Sequence, residues 1–300
     1  MQTERTGIVI LYKDTDWTSF DAVAKARGIL ATRKVGHSGT LDPMATGVLP
    51  LFLGMATKAV DMQIDKDKEY IACFLLGKNT DTGDITGEVI NTREVRSSRE
   101  DVELALGSFK GLITQLPPMY SAVKVNGQPL YKLARQGVTV ERRPRQVNVY
   151  SIEMLNDETL AENEYKVRIL CSEGTYIRSI VEDLGEKLGC GAVLTSLVRT
   201  RACGYTLDEA LTLAELQKHR DEDTIDSIIR PVDSLFMHLE RIDITRELAV
   251  RLLNGARSRI SKPDGQYRVY YQGRFFGVAR IEEKKMRAVK MFVSKETEVI

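Results

Sequence analysis

The stretch that most limits how this chain can fold is Gly36-His37-Ser38-Gly39-Thr40-Leu41-Asp42-Pro43-Met44-Ala45-Thr46-Gly47-Val48-Leu49-Pro50, which runs into the apolar Leu51-Phe52-Leu53. Its three glycines permit positive φ and close backbone approach to a ligand. Pro43 pushes Asp42 out of the helical region and adds a fixed φ of its own, so the carboxylate belongs at a stiff bend. The pattern predicts a rigid loop holding one acid, Asp42, and one imidazole, His37, beside buried sequence. Two readings are open to Asp42: a turn residue bonded to its own backbone, or a functional carboxylate in the kind of loop where binding and catalytic groups are placed.

Around this loop the chain alternates strands and helices. Residues 7–12 (GIVILY) read as a short buried strand. Residues 19–31 place Phe20, Val23, Ala24 and Leu30 at helical spacing, with Ser19 as the cap, and a short helix is expected over 56–62. Residues 68–76 (KEYIACFLL) read as a strand ended by Gly77, and turn formers fill 79–84. Ser98 with Asp101 opens an amphipathic helix through Phe109. Residues 115–145 are irregular, with Pro117-Pro118, Asn126-Gly127 and a net charge of +4 over 132–145; a long irregular insertion of this kind is usually functional.

Residues 146–155 and 164–171 read as one hairpin. The clearest helix is 175–188, where Ile177, Ile180, Val181, Leu184 and Leu188 form an apolar stripe ended by Gly189. Its first turn carries Tyr176 and Arg178. A strand over 193–203 and acidic helical segments at 207–216 and 223–229 follow. Beyond Pro231 a linker leads to a helix at 246–254, capped by Thr245. Short strands at 266–271, 274–281 and 286–293 then suggest a small β-barrel-like module.

Composition narrows the class. At 300 residues, 43% hydrophobic and 28% charged, the chain reads as a soluble globular protein with ample core. The apolar run at 7–12 is too short for a signal peptide, and no run approaches a membrane span. Cys73, Cys171, Cys190 and Cys203 form no CxxC pair, which argues against a disulfide framework or zinc site and fits a reducing cytoplasm. Net charge is only +1 but unevenly spread. Residues 246–290 carry 12 Lys/Arg against 4 Asp/Glu, whereas 205–243 hold 10 acids and 4 bases. The basic segment is either a polyanion-facing module or a solvated face.

Local chemistry offers three candidates: Asp42 in the loop, Tyr70 on a strand, and Arg178 at a helix start. No spacing rule brings them together, and singly Tyr70 reads as a strand aromatic and Arg178 as a surface base. Four ordered runs go further: GHSGTLDPMATGVLPLFLGMATK, DKEYIACFLLGKNTDTGDITGE, QLPPMYSAVKVNGQPLYKLARQG and CSEGTYIRSIVEDLGEKLGCGAVLTSLVR. They closely resemble the motifs of the TruB-type tRNA pseudouridine synthases over residues 34–199, with a weaker echo of an RNA-binding PUA-like module after Arg246. One turn departs from the family. Its usual Lys-Pro-x-Gly-x-Thr-Ser reads Lys13-Asp14-Thr15-Asp16-Trp17-Thr18-Ser19, so an altered turn and altered support from Lys13 are expected.

The resemblance implies an α+β pseudouridine synthase fold: a mixed, mainly antiparallel sheet with flanking helices, and a small C-terminal β-rich PUA-like module. It implies a catalytic domain over residues 1–243, with an RNA-gripping insertion near 115–145, and an RNA-binding domain over 244–300. The implied activity is isomerisation of uridine to pseudouridine at position 55 in the tRNA T-loop, with no metal or other cofactor. Asp42 matches the catalytic aspartate, Arg178 the arginine paired with it, and Tyr70 the tyrosine stacked on the extruded base. His37, which could equally cap a turn, matches the residue filling the gap left by that base. Leu197 matches a residue packed under the uracil, though a core leucine explains it as well. Tyr176, Lys124 and Lys13 lie in substrate-site motifs. The implied partner is the tRNA T-arm stem-loop, bound by a cytoplasmic monomer without guide RNA or membrane. Three rivals are weighed: a non-catalytic RNA binder of the same fold, against which Asp42, Tyr70 and Arg178 together argue, a guide-RNA-dependent relative, which lacks a comparable gripping insertion, and an aspartate-dependent glycosidic hydrolase. The last class uses paired carboxylates, and the loop motif supplies one.

Overall fold

A computed structural model describes residues 5–62 and 65–293. In chain order its elements are β1 (Gly7–Lys13), α1 (Ser19–Ile29), β2 (Val35–His37), β3 (Thr46–Leu53), β4 (Lys68–Leu76), β5 (Lys78–Thr80), β6 (Val89–Thr92), α2 (Arg99–Gly107), β7 (Gly111–Gln115), β8 (Lys124–Val125), β9 (Gln128–Pro129), α3 (Leu130–Ala134), β10 (Arg145–Leu155), β11 (Glu164–Cys171), α4 (Ile177–Lys187), β12 (Ala192–Ala202), β13 (Tyr205–Thr206), α5 (Leu213–Asp221), β14 (Glu240–Asp243), α6 (Arg246–Leu253), β15 (Ser258–Arg259), β16 (Gly265–Tyr271), β17 (Arg274–Glu282) and β18 (Lys285–Met291). None of these helices is long and apolar enough to cross a membrane.

The main sheet runs β1-β3-β12-β4-β11-β10-β7, with β2 added to β3 and β13 to β12. All its pairings are antiparallel except β3 with β12. The parallel contact is brief, Val198 beside Thr46 and Arg199 beside Gly47. A Cβ at Gly47, where φ is +105°, would come within 2.3 Å of the Arg199 carbonyl oxygen. Only glycine lets the two strands meet so closely.

The run GIVILY is continuously apolar because β1 is buried on both faces. Val9 and Leu11 pack with Ala22, Ala26 and Leu30 of the α1 region, while Ile8 and Ile10 pack with Phe52, Phe236, Val278 and Phe292. A third cluster seats α4 and α2 on the sheet through Phe74, Ile177, Ile180, Val181, Leu184 and Val102. The C-terminal sheet, β14-β16-β17-β18-β15, has its own core with α6 around Leu252, Val269, Phe276 and Ile281. The fold is thus α+β, mixed and mainly antiparallel, with a second small sheet, as expected.

Several local readings change. The α1 cap is Thr18, whose hydroxyl accepts from Asp21 N; Ser19 instead exchanges two hydrogen bonds with the backbone of Leu41. The helical period was right but its phase was not. Ala22, Ala26 and Ile29 face inward and Phe20 is 78% exposed, because small residues let the helix lie close to the sheet. Residues 54–62 form a 3-10 segment, and the acidic region divides into 3-10 turns flanking α5. The supposed linker before Arg246 contains β14, which pairs in parallel with β16, so the C-terminal sheet begins ahead of residue 244. The expected helix at Ser98 with its capping box, the 146–155/164–171 hairpin and the α4 stripe all form.

The unusual turn keeps the conformation a glycine would give. Asp16 has φ of +64° and its N–H bonds to Pro43 O at 3.0 Å, so the turn still docks on the central loop. A non-glycine side chain in this region carries a steric cost. Asp16→Gly is therefore expected to stabilise the fold by about 0.5–1 kcal/mol, seen as a higher urea midpoint with an unchanged m-value.

Candidate active site

The central loop hangs from two buried cations. Lys13, 1% exposed at the end of β1, donates through Nζ to Asp14 O at 2.8 Å, Pro43 O at 3.1 Å and Ala45 O at 2.5 Å. Its three donors thus meet three carbonyls. Burial pulls its pKa down to about 8, against the opposing pull of Asp42, Asp14 and Asp16. Arg199 on β12, fully buried, donates through Nε to Val48 O at 2.8 Å and through Nη2 to Gly39 O at 3.0 Å. Lys13 therefore supports the loop despite the altered turn, and its ammonium is spent on backbone.

Above this platform stands the Asp42 carboxylate. Arg178 Nε donates to Asp42 Oδ2 at 2.9 Å, Nη1 to Thr82 O at 2.8 Å and Nη2 to Tyr120 O at 2.7 Å. Asp84 Oδ2 lies 3.9 Å from the same guanidinium. The Asp84 carboxylate is itself buried and fixed by Thr82 Oγ1, Thr86 N and Thr86 Oγ1. The Arg178 side chain is 3% exposed and that of Asp42 33%, so the aspartate is the member of the pair that solvent or substrate can reach. Burial raises the Asp42 pKa above the ordinary carboxylate value and Asp84 pushes the same way; Arg178, and more weakly Lys13, oppose them.

Tyr70 lies on β4 directly across from Arg199 and belongs to one buried cluster with Leu41, Ala45, Ile177 and Leu197. Desolvation lifts its phenol to about 12, with Arg199 drawing it back, so the hydroxyl keeps its proton at neutral pH. Leu197, two residues before Arg199 on β12, is 6% exposed. His37, half-buried at the end of β2, faces Thr40 Oγ1 at 3.3 Å, and burial together with Arg199 lowers its pKa, leaving a neutral imidazole. Tyr176 is the N-cap of α4, with the Arg145 guanidinium 5.6 Å from its ring centre. Lys124 is exposed on β8 of the insertion, outside the hydrogen-bonded group around Asp42.

The structure thus brings Asp42 and Arg178 into contact and sets Tyr70 and Leu197 in the same cluster as the loop. Sequence reasoning missed Asp84, Thr82, Tyr120 and Arg199. Asp84 was read only as a turn former. The signal for Arg199 was its parity, two residues from Leu197 on the inward face of an apolar strand. Among the described residues no group of three or more His, Cys, Asp or Glu is placed to hold a metal ion.

The fold is of the pseudouridine synthase type. Solved structures similar to this chain include an H/ACA RNP bound to a substrate RNA containing 2′-deoxyuridine, with TM-score 0.69, 23% identity, and coverage of 97% of this chain and 86% of that one. A Cbf5-Nop10-Gar1 complex gives TM-score 0.69 and 26% identity over 96% and 85%. The family model described as TruB family pseudouridylate synthase (N terminal domain) matches residues 27–177, and that for the tRNA pseudouridylate synthase B C-terminal domain matches 178–237. The tRNA pseudouridine synthase B of Pseudomonas syringae is 43% identical, covering 97% of this chain and 96% of its own length. That of Bacillus pumilus is 42% identical over 83% and 82%. The chain belongs to the TruB family of pseudouridylate synthases.

The raised pKa of Asp42 has a stability consequence. Its native value lies above its unfolded value, so the unfolded state gives up this proton first and stability falls as pH rises through that window. Asp42→Asn removes the term while its amide oxygen can still accept from Arg178. The variant is expected to melt no lower than the parent at pH 7, with the difference shrinking toward pH 4, in thermal melts at both values.

Proposed function

We propose that this protein isomerises uridine to pseudouridine in the T-loop of tRNA, acting in the cytoplasm as a monomer that binds the T-arm stem-loop without a guide RNA. The observation that carries this reading is the reachable Asp42 carboxylate held by the buried Arg178 guanidinium. Isomerisation breaks the bond between uracil N1 and ribose C1′, joins C5 to C1′, and moves the C5 proton to N1, so nothing is gained or lost. A carboxylate oxygen can attack C1′, or it can take a sugar proton to give a glycal; both routes begin with Asp42 ionised. Arg178 favours that form, and its one bond, from Nε to Oδ2, leaves Oδ1 as the oxygen free to face the ribose.

The target must leave its stack to reach this carboxylate. Tyr70 then offers an aromatic face to the uracil and an O–H beside it, and Leu197 supplies apolar contact beneath. His37, neutral and on the rim strand β2, is suited to fill the space the nucleotide vacates. The insertion, whose exposed β8–β9 hairpin carries Lys124, supports T-arm gripping. The same feature favours a stand-alone enzyme over a guide-dependent one. Residues ahead of the C-terminal sheet supply every group in this account, and that sheet supplies charge.

The deciding experiment incubates the pure protein with unmodified tRNA transcript and maps pseudouridine by chemical adduct and primer extension. A single stop in the T-loop, with no guide RNA added, is expected; no stop, or stops elsewhere, would refute the reading. Asp42→Asn should bind the transcript yet yield no product. In the parent, the acid limb of the single-turnover rate should titrate above the ordinary carboxylate range, because burial raises the Asp42 pKa.

The basic module makes a separate prediction. Arg259 and Lys285 are like charges directly paired across β15 and β18, an unfavourable arrangement that an anion would relieve. Arg259→Gln/Lys285→Gln should lower the slope of log affinity against log salt by about 1.8, at about 0.9 per phosphate contact. The single-turnover rate at saturating RNA should be unchanged. An unaltered slope would mark the face as merely solvated.

A further inference from the structure

The insertion leaves the main sheet at Gln115, the end of β7, and returns at Arg145, the start of β10. These two residues are cross-strand partners, so they are the two feet on which the insertion stands. Both feet rest on Tyr176. Gln115 is fully buried; its Nε2 donates to Tyr176 O at 3.1 Å, and its Oε1 accepts from Tyr176 N at 3.0 Å. Arg145 covers the Tyr176 ring. Tyr176 makes no side-chain cap for α4, so the Gln115 amide supplies from another element part of what a capping side chain gives elsewhere.

Contacts continue along the first turn of α4. Arg178 Nη2 donates to Tyr120 O of the insertion, and Ser179 Oγ to Leu116 O at 3.4 Å. Every one of these bonds is polar and directional, so the base of the insertion cannot shift without shifting the helix turn that carries Arg178. Removing the buried amide leaves the Tyr176 N–H without its acceptor and the Tyr176 carbonyl with only the helical bond from Ile180 N.

We propose that Gln115 is a positioning residue for the isomerisation: its amide locks the start of α4 to the foot of the insertion, so that gripping RNA and holding Arg178 on Asp42 are one mechanical event. The proposal rests on the reading of Asp42 and Arg178 as the centre of the reaction. A displacement of about 1 Å at a reacting centre can cost on the order of 10²-fold in rate, which sets the scale expected when the lock is removed.

The test uses the full chain and a T-arm stem-loop, with single-turnover rate and dissociation constant measured separately. Gln115→Met, close in volume but without the amide, should slow the chemical step by on the order of 10²-fold and leave the dissociation constant little changed. Combined with Arg178→Lys, it should slow the reaction no further than Arg178→Lys alone, since both act through one guanidinium. Gln115→Glu gives a sharper signature. A protonated carboxyl offers the same donor and acceptor as the amide, whereas the ionised form faces the Tyr176 carbonyl. The rate of Gln115→Glu relative to the parent should therefore climb as pH falls, while that of Gln115→Met stays flat.

Parental rate in a folded Gln115→Met, additive slowing in the double variant, or a pH-flat Gln115→Glu ratio would each overturn the proposal. Should Gln115→Met fail to fold by circular dichroism, the pH dependence of Gln115→Glu decides. A slow Arg178→Lys beside a parental Gln115→Met sinks the lock alone. Parental turnover in Arg178→Lys sinks the reading of the site and the lock with it.

Discussion

A guanidinium buried to 3% exposure is tolerable only when its donors are satisfied and its charge is answered. Arg178 meets both conditions by drawing in three pieces of chain that are remote in sequence: the loop with Asp42, the turn with Thr82 and Asp84, and the insertion through Tyr120. The first two pieces also carry bonds of their own, from Lys13 and Arg199 to the loop and from Thr82 and Thr86 to Asp84. The cation ties these segments to one another, and Asp42, the more open of its two carboxylates, is left with a single strong partner.

Beneath the loop the arrangement is reversed in kind. Lys13 and Arg199 place positive charge under backbone carbonyls rather than carboxylates. Carbonyl dipoles fix the cations without cancelling them, so their field still reaches His37, Tyr70 and Asp42. Arg199 adds to the burial that keeps His37 neutral and draws Tyr70 back from a still higher value, and Lys13 offsets a little of the upward push that burial gives Asp42. One platform thus biases three groups at once, which a neutral scaffold of the same shape would not do.

Legibility in the sequence divided along a physical line. Features carried by local chemistry, such as the Ser98 capping box, the α4 stripe ended by Gly189 and the alternating strands, could be placed from residues alone. The phase of α1 could not, because the closeness of the sheet rewards Ala22 and Ala26 over the larger Phe20. Strand β14 was hidden because its four residues pair only with a strand far along the chain. At the site, motif resemblance named Asp42, Tyr70 and Arg178. It did not give their partners: Thr82 and Tyr120 serve through backbone carbonyls, for which no side-chain pattern exists, and Gln115 acts across sixty-one positions on the backbone of Tyr176.

The two-faced burial of β1 bears on how the molecule is made. Ile8 and Ile10 face a cluster completed by Phe236, Val278 and Phe292, and the ring centres of Phe236, Phe275 and Phe292 lie within 6.0 Å of one another. More than two hundred residues separate that strand from Phe236, Val278 and Phe292, though Phe52 and Ala56 join the same cluster from nearby. During synthesis that face of the sheet stays incompletely covered until residues as late as Val278 and Phe292 have left the ribosome. Contacts of such span form slowly and leave sticky surface exposed meanwhile. Late-translated side chains thus close over an early strand, and a ribosome that stalls short of them would release a nascent protein prone to clump with its neighbours.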